Sequence, residues 1–223
     1  IPLVFLIAIV IGALTGVING FFIAYGNVPA FIATLGMMSA ARGAALLITD
    51  SKNINGFYDA FESIGTDSFL GLPIAAWIFV LMAIIIYIIL ERTKFGTSIY
   101  AIGGNATAAK VSGINVRLCN FMGYVIAGIC TGVAAVVLTA RMRSGNPSVG
   151  NAYEMDAITC VILGGASFSG GSGKVVNTVF GALILGILVN GMTMLQIDSN
   201  LQSVVKGAVI VIAVFLDSRK RTD

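Results

Sequence analysis

IAAWIFVLMAIIIYIIL, residues 74–90, holds no charged residue, no glycine and no proline. A helix of this length is at the short end of what crosses a bilayer, which takes about 20 residues. Trp77 lies near its start and Tyr87 near its end, where interfacial aromatics anchor a span. Directly after it comes ERTKFGTSIYAIGGNATAAKVSGINVR, Glu91 to Arg117, the longest polar interruption that carries net positive charge. A further apolar run, Leu118 to Leu138, closes that loop on its other side.

The same alternation continues outward in both directions. Upstream lie Leu3–Tyr25, Ala30–Ile48 and a polar loop, Asp50–Pro73; downstream lie Glu154–Phe168, Val175–Leu195 and Val204–Leu216. Of the 223 residues, 57% are hydrophobic and 10% charged, against about 25% charged in a soluble domain. The mean hydropathy is +0.98. The fold expected is an all-α polytopic bundle of about seven hydrophobic segments, forming one transmembrane domain over residues 1–223. The chain also starts inside an apolar run without Met, and it reads as an N-terminally truncated piece of a longer membrane protein.

Charge placement orients the bundle, because cytoplasmic loops are enriched in Lys and Arg. With Glu91–Arg117 inside, alternation also puts Ser169–Lys174 and the C-terminus inside. Those segments hold eight basic residues: Arg92, Lys94, Lys110, Arg117, Lys174, Arg219, Lys220 and Arg221. The opposite loops hold three, Lys52, Arg141 and Arg143. No face gathers the basic cluster that nucleic acid requires, so no nucleic-acid partner is expected.

Two segments repeat. Gly12-Ala-Leu14, Gly16 and Asn19-Gly20 are echoed by Gly181-Ala-Leu183, Gly186 and Asn190-Gly191. Ser39-Ala-Ala-Arg42-Gly43-Ala44 is echoed by Ser203-Val-Val-Lys206-Gly207-Ala208. The first helices of the two pairs cross in opposite directions, as an inverted repeat requires, and transport sites lie at such repeat interfaces. Asn19, Arg42, Asn190 and Lys206 are therefore the candidate pathway residues: two amides beside small-residue stripes, and two charges inside apolar helices, where charge is expensive. Helix–helix hydrogen bonding is the structural alternative for the amides, and snorkelling to the headgroups for the charges. Arg141 and Arg143 on the outer face are candidates for clasping carboxylates of a soluble partner, with local pairing to Glu154 and Asp156 as the alternative.

Enzyme chemistry finds little support. There is no histidine, and Cys119, Cys130 and Cys160 lack metal-ligand spacing, so neither a metal nor a cofactor is expected. GGSGKV (170–175) fails as a phosphate-binding loop, because Val175 follows Lys174 and Phe168 stands where the first glycine belongs. The chain therefore shows no nucleotide site of its own. Within the loop, Ala106–Ser112 is expected to form a short helix bracketed by turns at Gly103, Gly104 and Gly113, a cytoplasmic handle for a separate motor. An ion-coupled secondary transporter is the alternative; it needs a buried carboxylate, for which Asp156 is the only near-candidate.

Several motifs carry a family resemblance: PAFIATLG (29–36), ERTKFG (91–96), YAIGGN (100–105), AKVSGIN (109–115), YEMDA (153–157), LGG (163–165) and GGSG (170–173). Together they resemble the ribose-type sugar permeases of bacterial ABC importers over about Gly12 to Asp217. The resemblance implies roughly ten helices with an inverted repeat, two permease copies around a central pathway, and a place in the bacterial cytoplasmic membrane. It implies an ABC-type ATPase at the coupling loop, with Gly104, Asn105, Ala108, Ala109, Lys110, Gly113 and Ile114 as the coupling positions. It also implies an extracytoplasmic sugar-binding protein docking outside, and two or three further helices ahead of Leu3.

Overall fold

The structure, a computed structural model, describes residues 2–167 and 170–219. Phe168, Ser169, Lys220 and Arg221 lie outside the described residues, as does the side chain of Arg219. Ten helices run in the order α1 (Pro2–Ala24), α2 (Ala30–Ile48), α3 (Asp59–Thr66), α4 (Ile74–Arg92), α5 (Lys94–Gly104), α6 (Ala106–Val111), α7 (Val116–Met142), α8 (Tyr153–Leu163), α9 (Val175–Met194) and α10 (Ser199–Arg219). Among the described residues five of them, α1, α2, α4, α7 and α9, are long and apolar enough to cross a membrane. The protein is an all-α polytopic membrane protein. Four two-residue strands form two short antiparallel pairs, β1 (Ile54–Asn55) with β4 (Ser144–Gly145) and β2 (Ser68–Phe69) with β3 (Leu72–Pro73).

The chain divides into two compact units interleaved in sequence: residues 1–82 with 113–149, and residues 83–112 with 150–223. The first is built on an antiparallel seam between α1 and α7. Gly12, Gly16 and Gly20 are buried along one face of α1, and opposite them stand Gly128, Gly132, Tyr124 and Phe121. A Cβ added at Gly12 would collide with the backbone of Gly128, and one at Gly128 with the backbone of Gly12. Close backbone approach through small residues is how helices gain van der Waals contact where lipid offers no hydrophobic drive. The four-residue glycine spacing read in the sequence has this packing as its cause.

At one end of that seam sits α3, a helix inside the polar loop 50–73, where only a loop was expected. Its signal was present: Asp59 and Glu62 occupy the first turn, where acidic side chains oppose the helix dipole, and Phe61 and Ile64 share its inner face. Phe61, Ile64, Val136 and Ala140 form a buried cluster, with Phe5, Ala8, Phe57, Ile74 and Ile78 packed around it. Trp77 donates its indole N–H to the carbonyl of Phe69 at 3.0 Å, so the aromatic at the start of α4 is tied to the β2–β3 turn.

The second unit is built on α8 and α9. Gly181 of α9 packs on the backbone of Cys160, and Gly164 on Asn177 and Thr178, so the two helices run antiparallel. The span expected over Glu154–Phe168 is shorter in the structure. It has 11 residues, ends at Leu163, and rises about 16 Å against a hydrocarbon core of about 30 Å. Gly164 and Gly165 stop it, the latter at φ +76°. α8 thus reaches only part of the way along α9.

The expected repeat is differently packed in its two copies. Gly12, Gly16 and Gly20 meet backbone, whereas a Cβ at Gly186 or Gly191 would meet nothing within 4 Å.

Candidate functional site

The loop from Glu91 to Arg117 folds as helix, corner, helix. Thr93 caps α5, its hydroxyl accepting from the N–H of Gly96 at 3.4 Å. Gly96 lies so close to the carbonyl of Leu90 that no side chain fits there, which folds α5 sharply back from α4. Asn105 then ends α5 with an extended backbone and starts α6, its side-chain oxygen accepting from the N–H of Ala108 at 2.9 Å. Asn115 repeats the device for α7, accepting from Leu118 N–H at 3.1 Å. Such caps stabilise a helix by about 1 kcal/mol.

The short helix expected at Ala106–Ser112 is α6, Ala106–Val111, with Ser112 as its C-terminal cap. Its Ala109 is buried (4% exposed) while Ala108 and Lys110 are exposed. Gly113 turns at φ +85°, as a glycine bracket should. The other bracket differs: Gly103 and Gly104 are the last residues of α5 and make no turn, the corner being Asn105. Gly104, Asn105 and Gly113 are exposed, and Ile114 is half-buried.

Gly103 packs against Gly170 and Gly171. Close by, the carboxylate of Glu91 accepts from the N–H of Val175, the first residue of α9, at 3.2 Å. The basic loop and the glycine-rich turn before α9 thus lie together, as the charge bias required of two segments on the same side. A cavity of about 400 Å³ opens between them, lined by Tyr100, Ser172, Lys174 and Asn177 among others. Burial, and then the nearby Glu91 carboxylate, push the Tyr100 phenol above its ordinary value.

The second polar feature lies within the apolar helices. Lys206 of α10 holds its ammonium 2.9 Å from Oδ1 and 2.9 Å from Oδ2 of Asp156 in the first turn of α8. Cys160 is level with Gly181 on α9, and Asp156 is one turn further from the glycine-rich end. That places the pair roughly 15 Å from either end of α9. Both side chains are mostly buried, 25% and 31% exposed. The Lys206 ammonium is held by the carboxylate of a neighbouring helix, as a charge inside an apolar bundle requires. The spacing of Asp156 from Lys206, 50 residues, gives no local sequence pattern.

The other candidates stand as follows. Asn190 is exposed on α9. Asn19 and Arg42 are half-buried in the first unit, and Arg42 has no ion-pair partner among the described residues. Arg143 pairs with Glu62 of α3 at 3.3 Å, in place of the local partners Glu154 and Asp156. Arg141 is exposed. Among the described residues no group of three metal-ligating side chains occurs.

Five helices long and apolar enough to cross a membrane, with a buried ion pair between α8 and α10 and a capped helix in the basic loop, fit a polytopic membrane protein. The comparisons agree. Residues 1–214 match the family model described as branched-chain amino acid transport system / permease component. The chain is 45% identical over 204 residues to the ribose import permease protein of Bacillus subtilis (strain 168), covering 91% of this chain and 63% of that one. It is 40% identical over 218 residues to the ribose import permease protein of Escherichia coli (strain K12), covering 96% and 68%. To the L-arabinose transport system permease protein of the same strain it is 37% identical over 204 residues, covering 92% and 62%. No solved structure matches. The chain belongs to this permease family. It spans about two thirds of the length of these relatives.

Proposed function

We propose that this chain forms the sugar path of an ATP-driven importer in the bacterial cytoplasmic membrane and is worked by an ATPase on a separate chain. The relatives named for ribose and L-arabinose support a monosaccharide as cargo. The observation that carries the motor reading is α6. It is a capped, largely exposed helix of six residues in the long basic loop 91–117, and it carries Lys110 in its last turn, where positive charge suits the dipole. ATP-driven closure of the motor moves α6 as a lever. The helices joined to it tilt, and access to the path switches from outside to inside.

In this reading Gly104, Asn105, Ala108, Ala109, Lys110, Gly113 and Ile114 face or shape the ATPase contact. A sugar-binding protein delivers cargo to the outer face, where Arg141 and Arg143 stand, and a second copy of the chain completes the path. Asn19, Arg42, Asn190 and Lys206 supply polar groups along it, and the chain itself catalyses no reaction. The ion-coupled alternative is weakened by Lys206, which already neutralises the one deep carboxylate.

Ala109→Glu tests the proposal, since a charge at that buried position displaces α6. In the complete transporter, sugar uptake should fall at least about tenfold and lose its link to ATP hydrolysis. Unchanged uptake rules the lever out, and uptake that survives ATP depletion favours ion coupling.

A further inference from the structure

Of the features outside the lever itself, the contact between α5 and the turn before α9 carries furthest. Three glycines make it. A Cβ on Gly103 would lie 3.0 Å from the Cα of Gly171 and 3.2 Å from the carbonyl carbon of Gly170. A Cβ on Gly171 would lie 2.7 Å from the nitrogen of Gly104. Gly170 and Gly171 also hold φ of +87° and +79°, a conformation that side chains resist. Backbone therefore rests on backbone, with no rotatable group between to absorb a displacement.

The turn is tied at both ends. Toward α8, Ala166 N–H bonds to the Val161 carbonyl at 3.2 Å, and Ser167 N–H to the Ser172 carbonyl at 3.0 Å. Toward α9, the Glu91 carboxylate holds the Val175 N–H, and Gly164 is pressed on Thr178. Beside this contact lies the cavity lined by Tyr100, Ser172, Lys174 and Asn177. Whatever moves the end of α5 must push this turn.

We propose that the contact of Gly103 with Gly170 and Gly171, seconded by Glu91, is the joint that passes movement of α6 on to α8 and α9. It rests on the lever reading above. The joint makes Gly103 and Gly171 positioning residues for transport, and its far end is the Asp156–Lys206 pair, two turns along α8 from Gly164. A packed backbone contact transmits displacement because interiors are dense and scarcely compressible.

The test uses the full-length protein assembled with its ATPase and binding protein in proteoliposomes, reading sugar taken up per ATP hydrolysed. Gly103→Ala is expected to keep ATP hydrolysis and lower that ratio about tenfold. Ala101→Ser, an exposed change on the same helix, is expected to leave it unchanged. An unaltered ratio in Gly103→Ala, or an equal loss in Ala101→Ser, overturns the joint. Ala109→Glu run in parallel separates the two ideas. If it loses uptake while Gly103→Ala does not, the lever stands and the joint falls; if it too transports normally, the lever falls. Should Gly103→Ala fail to assemble, Glu91→Ala decides. It should lower the ratio, and Glu91→Gln, which keeps an acceptor oxygen for Val175 N–H, should restore it; a normal ratio in Glu91→Ala overturns the proposal.

Discussion

The α1–α7 seam and the α8–α9 pair are both antiparallel and both closed by glycine, yet they are different kinds of joint. Along α1 three glycines in register meet backbone across the seam, turn after turn. Along α9 only Gly181 does so; Gly186 and Gly191 face open space, and α8 stops after 11 residues. One pair is a frame with no slack. The other is held at one end by glycine, and its α8 is tied by one ion pair to α10 rather than to α9. The first is the more tightly packed joint and the second the looser one.

Replacing a seam glycine should do most damage. Gly12→Leu forces the Gly128 backbone away, and overpacking of this kind costs about 3 kcal/mol or more. The expected outcome is loss of folded protein on size-exclusion chromatography. A well-folded Gly12→Leu would remove the frame from the comparison.

Breaking the ion pair should come next. Asp156→Ala leaves an ammonium without its counter-charge at depth, which costs several kcal/mol for a fully buried pair and about 2 kcal/mol with this degree of exposure. Thermal stability and uptake should both fall, and the exchange Asp156→Lys with Lys206→Asp should recover part of each. No recovery on exchange would mean that the two charges act separately.

Asn105→Ala removes a cap worth about 1 kcal/mol. Because α6 is short, the effect should appear as a several-fold loss of uptake with little change in melting temperature. A large drop in melting temperature would instead mean that the loop supports the whole fold.

Gly186→Ala should change stability by less than about 0.5 kcal/mol, since it has room for a methyl group. The sharpest contrast is with Gly12 in the same motif. Equal damage at both would erase the difference between the two joints.

The spans and their breaks were legible in the sequence because they follow from runs of apolar residues. So was α6, since Asn105 and Gly113 are local signals. The shortness of α8 was signalled only by Gly164 and Gly165, a glycine pair that an apolar run can also carry through. Gly103 was read as a turn residue, whereas its missing side chain serves a contact 68 residues away in sequence. α5 was hidden for the same reason, and α3 behind the acidity of its loop. Lys206 was visible as a charge in an apolar run. Its partner, 50 residues away, became visible only once α8 and α10 were placed side by side.

The account depends most on which side of the membrane carries α6. Lys110→Cys, made in a chain whose Cys119, Cys130 and Cys160 are replaced by serine, can be labelled with a maleimide that does not cross membranes. The account predicts labelling in inside-out vesicles and none in intact spheroplasts. Labelling from the outside alone would contradict it.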